Sequence, residues 1–188
     1  MSGVSVQNVP NSLVSLVSAH RSGFRPEYLP FPDWGGAPPL GWLAPFAPSP
    51  FQSEGRTFFS AEHLFMYEKA IAFDDALTAR AILSVRTALQ AQFLGRSVRG
   101  FDENRWQVLR ESAMDTANFA KFGALSELRQ YLLETHPKVL VLASPLDVTW
   151  GAGLDLADPM LNAPPRLPGL NLVGFSLMRV RERLRSEP

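Results

Sequence analysis

Val139-Leu140-Val141-Leu142-Ala143, running into Ser144-Pro145-Leu146-Asp147-Val148-Thr149-Trp150-Gly151-Ala152-Gly153-Leu154, is the stretch on which the fold turns. An uninterrupted apolar run of this length reads as a strand buried on both faces. The connection after it carries one carboxylate, one indole and two glycines. A stiff strand end that presents an acid, a flat aromatic and a closely approachable backbone suits a nucleotide or sugar. The plain structural alternative is a tight turn with Trp150 anchored in the core.

Working outward, the rest of the chain is mostly helical. Phe51 to Phe59 reads as a β-hairpin around Ser53-Glu54-Gly55-Arg56. Ser60 caps a helix through about Ala72, and Asp74 and Asp75 start another, to about Ser84. Thr87 caps a third that Gly95 ends, and Asp102 caps a long one closed by Gly123. Ser126 opens a helix that stops before Pro137, and Asn171 to Arg185 is the last. Half of the 16 prolines fall within residues 26–50, among Phe24, Tyr28, Phe31, Trp34, Trp42 and Phe46. Proline fixes φ and removes a donor, so this is an extended covering segment whose aromatics pack onto the domain. Residues 1–25 read as an appended helix or strand. The expectation is a mainly helical α+β single domain with few short strands, an N-terminal extension over residues 1–40 and a catalytic domain over 41–188.

With 188 residues the chain suffices for one domain with a sizeable core. Eighteen basic and eighteen acidic side chains give a formal net charge of +0, so no global field drives unspecific binding to DNA or membranes. Cysteine is absent, which excludes disulfides, thiolate metal sites and a cysteine nucleophile. No apolar run reaches transmembrane length, and the N-terminus is a poor signal peptide, so the expected address is cytoplasmic. His20, His63 and His136 lie far apart without metal-ligand spacing, so neither a metal nor a cofactor is expected.

Glu62 and Lys69 stand seven residues apart in one helix, which puts them on one face. Glu62 also reads as a carboxylate favoured by the helix N-terminus, and Lys69 as a solvated lysine. His63 reads first as a structural histidine and second as a ligand contact. Arg96 and Arg99 flank flexible glycines, which suits a phosphate and equally suits a helix C-terminus. No Ser-His-Asp set, phosphate-cradling glycine loop or dinucleotide fingerprint is present. Acid, base, lysine and aromatic remain, and they suit hydrolysis at an anomeric carbon through an oxocarbenium-like state.

Ala61-Glu62-His63, Glu68-Lys69-Ala70, Leu94-Gly95-Arg96 with Val98-Arg99-Gly100-Phe101-Asp102, Asn118 with Lys121-Phe122, Ser144-Pro145-Leu146-Asp147, Trp150-Gly151-Ala152-Gly153-Leu154 and Asn171-Leu172-Val173-Gly174 occur in this order between roughly Trp42 and Leu184. The ordered set resembles the NADAR family of YbiA-like proteins. That resemblance implies an N-glycosidase. The expected substrate is ADP-ribose linked to guanine in a nucleotide or DNA, with phosphorylated ribosylamino intermediates of riboflavin synthesis as the alternative. It implies Glu62, Lys69 and Asp147 as catalytic residues, and Trp150, Gly151, Arg96, Arg99, Phe46 and His63 as substrate-binding residues. The family often has Ser-Asn-Phe where this chain has Ala44-Pro45-Phe46, and an aromatic near Leu167. Loss of the Ser-Asn pair leaves a non-catalytic nucleotide-binding module as the rival reading.

Two chemical routes are open. In one, an ionised Glu62 or Asp147 stabilises the cationic sugar and orients water while Lys69 supplies positive charge. In the other, Lys69 forms a Schiff base with the opened ribose, which requires burial to outweigh the charge of Glu62.

Overall fold

The computed structural model of the chain describes residues 10–162 and 167–187. The apolar run forms strand β4 (Val139–Ala143), with all its residues buried. Its partner is β1 (Tyr28–Pro32), which runs parallel, Tyr28 opposite Val139 and Pro32 opposite Ala143. Pro30 and Pro32 have no N–H to give, which restricts β1 to the edge of the sheet. These residues lie in the segment read as an extension, yet they carry half of the central sheet, and Phe31 is fully buried. Helix α1 (Leu13–Arg21) adds Leu16 to the same core.

The second sheet is the expected hairpin, β2 (Phe51–Ser53) and β3 (Arg56–Phe58), with Phe51 opposite Phe58. Its turn residues Glu54 and Gly55 both have positive φ, 49° and 73°, as a twisted two-residue hairpin turn requires. Helices α2 (Ala61–Ala72), α3 (Ala76–Ser84), α4 (Ala88–Arg96) and α5 (Glu103–Ala124) begin where the capping residues predict. Ser60, Asp75, Thr87 and Asp102 each accept the N–H of the third residue beyond. Three boundaries differ, the first being α4, which continues through Gly95 to Arg96. Helix α5 continues through Gly123 to Ala124, and α6 (Ser126–Glu134) takes Ser126 as its first residue, with Leu125 at the cap and no side-chain bond. Helix α7 (Leu172–Ser186) closes the chain.

Helix α2 is the hub, packed on α3, α4 and α5, while α7 lies between α5 and β4. Helix α4 crosses close over α2 at Gly95, where an added Cβ would stand 2.1 Å from the Met66 sulfur. No described helix is long and apolar enough to cross a membrane.

Candidate active site

Where α2, α4 and the loop after β4 meet, they leave a cavity of about 210 Å³. Helix α2 contributes Glu62 and Lys69, as their spacing requires, and α4 contributes Gln92 and Arg96. The loop after β4 contributes Ser144, Asp147 and Trp150, and the segment after β1 contributes Asp33, Pro45 and Phe46. Four of the residues expected to work together, Glu62, Lys69, Asp147 and Trp150, thus face one space.

Glu62 lies in the first turn of α2, but its surroundings are not those of a surface capping carboxylate. Its residue is 5% exposed. Burial pushes its carboxyl up to about 8, and the negative charge of Asp147 adds to this, while a hydrogen bond with Gln92 and the charges of Arg96 and Lys69 oppose it. Desolvation outweighs these opposing contributions, so Glu62 holds its proton at neutral pH. Of the two carboxyls open to the ionised role, Glu62 or Asp147, burial disfavours the ionised form at Glu62. The Glu62 backbone N–H donates to the Pro45 carbonyl at 2.9 Å, which fixes the start of α2 against the Ala44-Pro45 segment.

Lys69 is half-buried, with its ammonium 4.3 Å from the centre of the Phe101 ring and 5.7 Å from that of Trp106. Burial lowers its pKa against the opposing pull of Glu103 and Glu62. Asp147 Oδ1 accepts the backbone N–H groups of Thr149 and Trp150 at 2.8 and 2.7 Å. The Trp150 ring meets Phe65 edge to face, 4.9 Å between centroids, and Phe65 leans on Trp106. These rings make the apolar wall of the cavity.

Arg96 lines the cavity and donates to Gln92 Oε1 at 3.1 Å, so arginine, amide and buried acid form a chain. Three expected binding residues lie elsewhere. Arg99 turns away from the cavity to Asp75, which it holds with Nε at 3.1 Å, Nη2 at 2.5 Å and its backbone N–H at 2.9 Å. The buried Asp75 carboxylate is the stronger attraction, and Arg99 locks the α4–α5 connection to the cap of α3. His63 is sealed in the core, where Nδ1 accepts the Phe59 N–H and Nε2 donates to the Ile82 carbonyl, 2.7 Å away. Burial lowers its pKa, and it serves as a neutral structural bridge. Gly151 is a packing residue, since a Cβ there would come within 2.9 Å of the Ser144 Cβ.

Gln92, Asp33 and Ser144 also line the cavity, although none of them is among the expected site residues. Gln92 sits one helical turn before Arg96, so helix spacing carries its signal. Ser144 donates to Asp33 Oδ2 at 2.5 Å across 111 positions, a contact only the tertiary fold creates. Pro164 and Pro165 lie outside the described residues, and Leu167, where the family often has an aromatic, is buried. Among the described residues, no three side chains of His, Asp or Glu gather as metal ligands.

Residues 34–185 match the NADAR domain, which is most of the chain. The chain belongs to the NADAR family. Among its relatives, an N-glycosidase of Acanthamoeba polyphaga mimivirus is 36% identical over 126 residues, covering 66% of this chain and 74% of that protein. The N-glycosidase YbiA of Escherichia coli is 31% identical over 147 residues, covering 78% of this chain and 83% of that protein. The NMR structure of E. coli YbiA matches with a TM-score of 0.69 at 28% identity, covering 86% of this chain and 88% of that one. The NADAR match begins within the segment read as an extension, at residue 34 beside the cavity residue Asp33.

Proposed function

We propose that this protein is an N-glycosidase that hydrolyses the bond between the anomeric carbon of a phosphorylated ribosyl group and a base nitrogen. ADP-ribose on guanine is the substrate we favour. The observation that carries the reading is a buried Glu62, whose carboxyl burial pushes up to about 8, sharing one cavity with a second carboxyl, Asp147. An N-glycoside breaks when its nitrogen receives a proton and the bonding pair leaves with the base. Neutral Glu62 supplies that proton. The ring oxygen then shares the positive charge with the anomeric carbon, and the Asp147 carboxylate stabilises it. Water adds to that carbon and returns its proton to Glu62, which restores the starting state. Arg96, exposed at the cavity mouth, suits a phosphate through its guanidinium fork. The names of the relatives, N-glycosidases in both cases, support the same bond type.

The Schiff-base route has an observation of its own. Burial lowers the Lys69 pKa against the pull of Glu103 and, once ionised, Glu62, which moves it toward the neutral, nucleophilic form. In that route the Lys69 amine displaces the base from the anomeric carbon, the ribose opens to an imine, and water releases the sugar.

The test is turnover of an ADP-ribosylated guanosine oligonucleotide beside a phosphorylated ribosylamino-pyrimidine. Release of ADP-ribose from the first is expected. Faster cleavage of the second moves the substrate to the smaller metabolite. Binding of ADP-ribose with cleavage of neither substrate would establish the non-catalytic rival.

A further inference from the structure

A second cavity, about 440 Å³, adjoins the first and shares Asp33 and Phe46 with it. Its remaining walls come from the proline- and glycine-rich segment after β1, chiefly Trp34, Trp42 and Pro38. Trp34 is 57% exposed, a large apolar area to leave in water, and its ring stands 5.6 Å from that of Phe46. The segment is held in place from beneath. Lys121, fully buried in α5, donates to the carbonyls of Trp42 and Ala44 at 2.6 and 3.0 Å. Asp33 stands at the border of the two cavities. Its Oδ2 accepts the Ser144 hydroxyl, and its Oδ1 has no hydrogen-bond donor among the described residues.

We propose that this second cavity seats the leaving base, with the heterocycle stacked on Trp34, whose ring Phe46 braces at a tilt of 59°, and its N–H edge donating to Asp33. The inference rests on the N-glycosidase reading of the neighbouring cavity. Flat aromatic side chains bind nucleobases by stacking, which every base permits, so selectivity must come from the edge. A carboxylate only accepts, so it prefers an edge with adjacent donors. Guanine offers two, N1–H and the exocyclic amine. Adenine offers one donor beside an acceptor, whose lone pair a carboxylate repels. The geometry also suits the bond to be cut. A base in the second cavity and a ribose beside Glu62 and Asp147 place the glycosidic nitrogen at the boundary between the two cavities.

The experiment uses the full chain and two probes, free guanosine and free ADP-ribose, with binding read by calorimetry. It also measures KM for ADP-ribosylated guanosine. Trp34→Ala should weaken guanosine binding and raise KM by at least about five-fold, the lower end of what one base–aromatic stack contributes. Trp34→Phe should restore most of this, and ADP-ribose affinity should stay within about two-fold. Asp33→Asn replaces half of the acceptor edge by a donor, so it should weaken guanosine more than adenosine. Equal loss of ADP-ribose and guanosine affinity in Trp34→Ala would assign the cavity to the adenine of ADP-ribose and overturn the proposal. Unchanged guanosine binding and unchanged KM in Trp34→Ala would overturn it as well. Saturable guanosine binding that depends on Trp34, in a wild-type protein that cleaves no glycosidic bond, would refute the catalytic reading and leave the base seat standing.

Discussion

Asp147 holds the backbone N–H of Trp150 at 2.7 Å through Oδ1, the same oxygen that accepts Thr149. One side chain therefore shapes the loop that carries the indole and also faces the cavity. The two duties separate by substitution. Asn at position 147 can keep the accepting oxygen and loses the charge, whereas Ala loses both. Asp147→Asn should leave the melting temperature close to that of the wild type and reduce kcat by at least about a hundred-fold, as expected for loss of one well-placed electrostatic group. Asp147→Ala should add a rise in KM as Trp150 loses its support. Wild-type kcat in Asp147→Asn would remove Asp147 from the chemistry.

Glu62 predicts a pH profile and a stability profile with linked signs. Its folded pKa of about 8 lies above that of the unfolded chain. The folded protein therefore binds the extra proton between the two values, so stability falls as pH rises from about 4.5 to about 8 and levels off above. Glu62→Gln keeps the shape and never ionises. It should be more stable than the wild type above about pH 8, by roughly a few kcal/mol, and nearly equal to it at low pH. Activity through Glu62 as acid should fall as pH rises through about 8. Activity through a neutral Lys69 should instead rise with pH, as Lys69 loses its proton. Rate profiles of wild type and Glu62→Gln, with borohydride trapping of any lysine adduct, separate the two routes. A trapped ADP-ribose adduct that disappears in Lys69→Ala would replace the direct hydrolytic route.

The two arginines bracketing Val98 and Ser97 should divide cleanly. Arg96 faces the cavity, so Arg96→Ala should raise KM for a phosphorylated substrate and leave the melting temperature nearly unchanged. Arg99 holds Asp75, whose carboxyl it keeps well below the usual range together with Thr78. Arg99→Ala leaves a buried carboxylate without its partner. It should lower the melting temperature most at neutral pH, with the deficit shrinking as acid protonates Asp75. An Arg99→Ala protein of full stability and raised KM would reverse the assignment of the pair.

Much of this division is invisible in sequence because Arg96 and Arg99 sit in equivalent company, each next to a glycine. Only the position of Asp75, 24 residues earlier, decides that Arg99 turns away. The helix starts are legible because Ser60, Asp75, Thr87 and Asp102 act locally on the N–H three residues on. The pairing of Glu62 with Lys69 is legible for the same reason, through helical period. The parallel partner of β4 is not, since Tyr28–Pro32 holds two prolines and lies more than a hundred positions away. Asp33 inherits its place in the cavity from that strand. The Ala44-Pro45 departure from the family pattern has a structural counterpart. Both residues act through backbone carbonyls, Ala44 toward Lys121 and Pro45 toward Glu62, and a carbonyl does not depend on the side chain.

Asn171 supplies the last prediction. With φ at 53° it stands in the left-handed region, which asparagine tolerates better than other residues bearing a Cβ. Its Oδ1 accepts the Leu142 N–H and its Nδ2 donates to the Leu140 carbonyl, both at 2.9 Å. The side-chain amide thus pairs with β4 on the edge away from β1, where the described residues provide no strand. Both bonds are buried, and Asn171 is fully enclosed. Asn171→Ala leaves one donor and one acceptor of β4 unsatisfied, each costing about 1–3 kcal/mol. It also puts alanine at a positive φ. The expected loss is about 3–5 kcal/mol of unfolding free energy by denaturant titration. Asn171→Asp should fare little better despite its matching shape, because a carboxylate cannot donate to Leu140 and would be buried without a counter-charge. Asn171→Gly relieves the backbone and still loses both bonds, so it should fall between Ala and wild type. A denaturation midpoint for Asn171→Gly equal to that of the wild type would show that the amide contributes only its conformation, and that β4 is held from the other side alone.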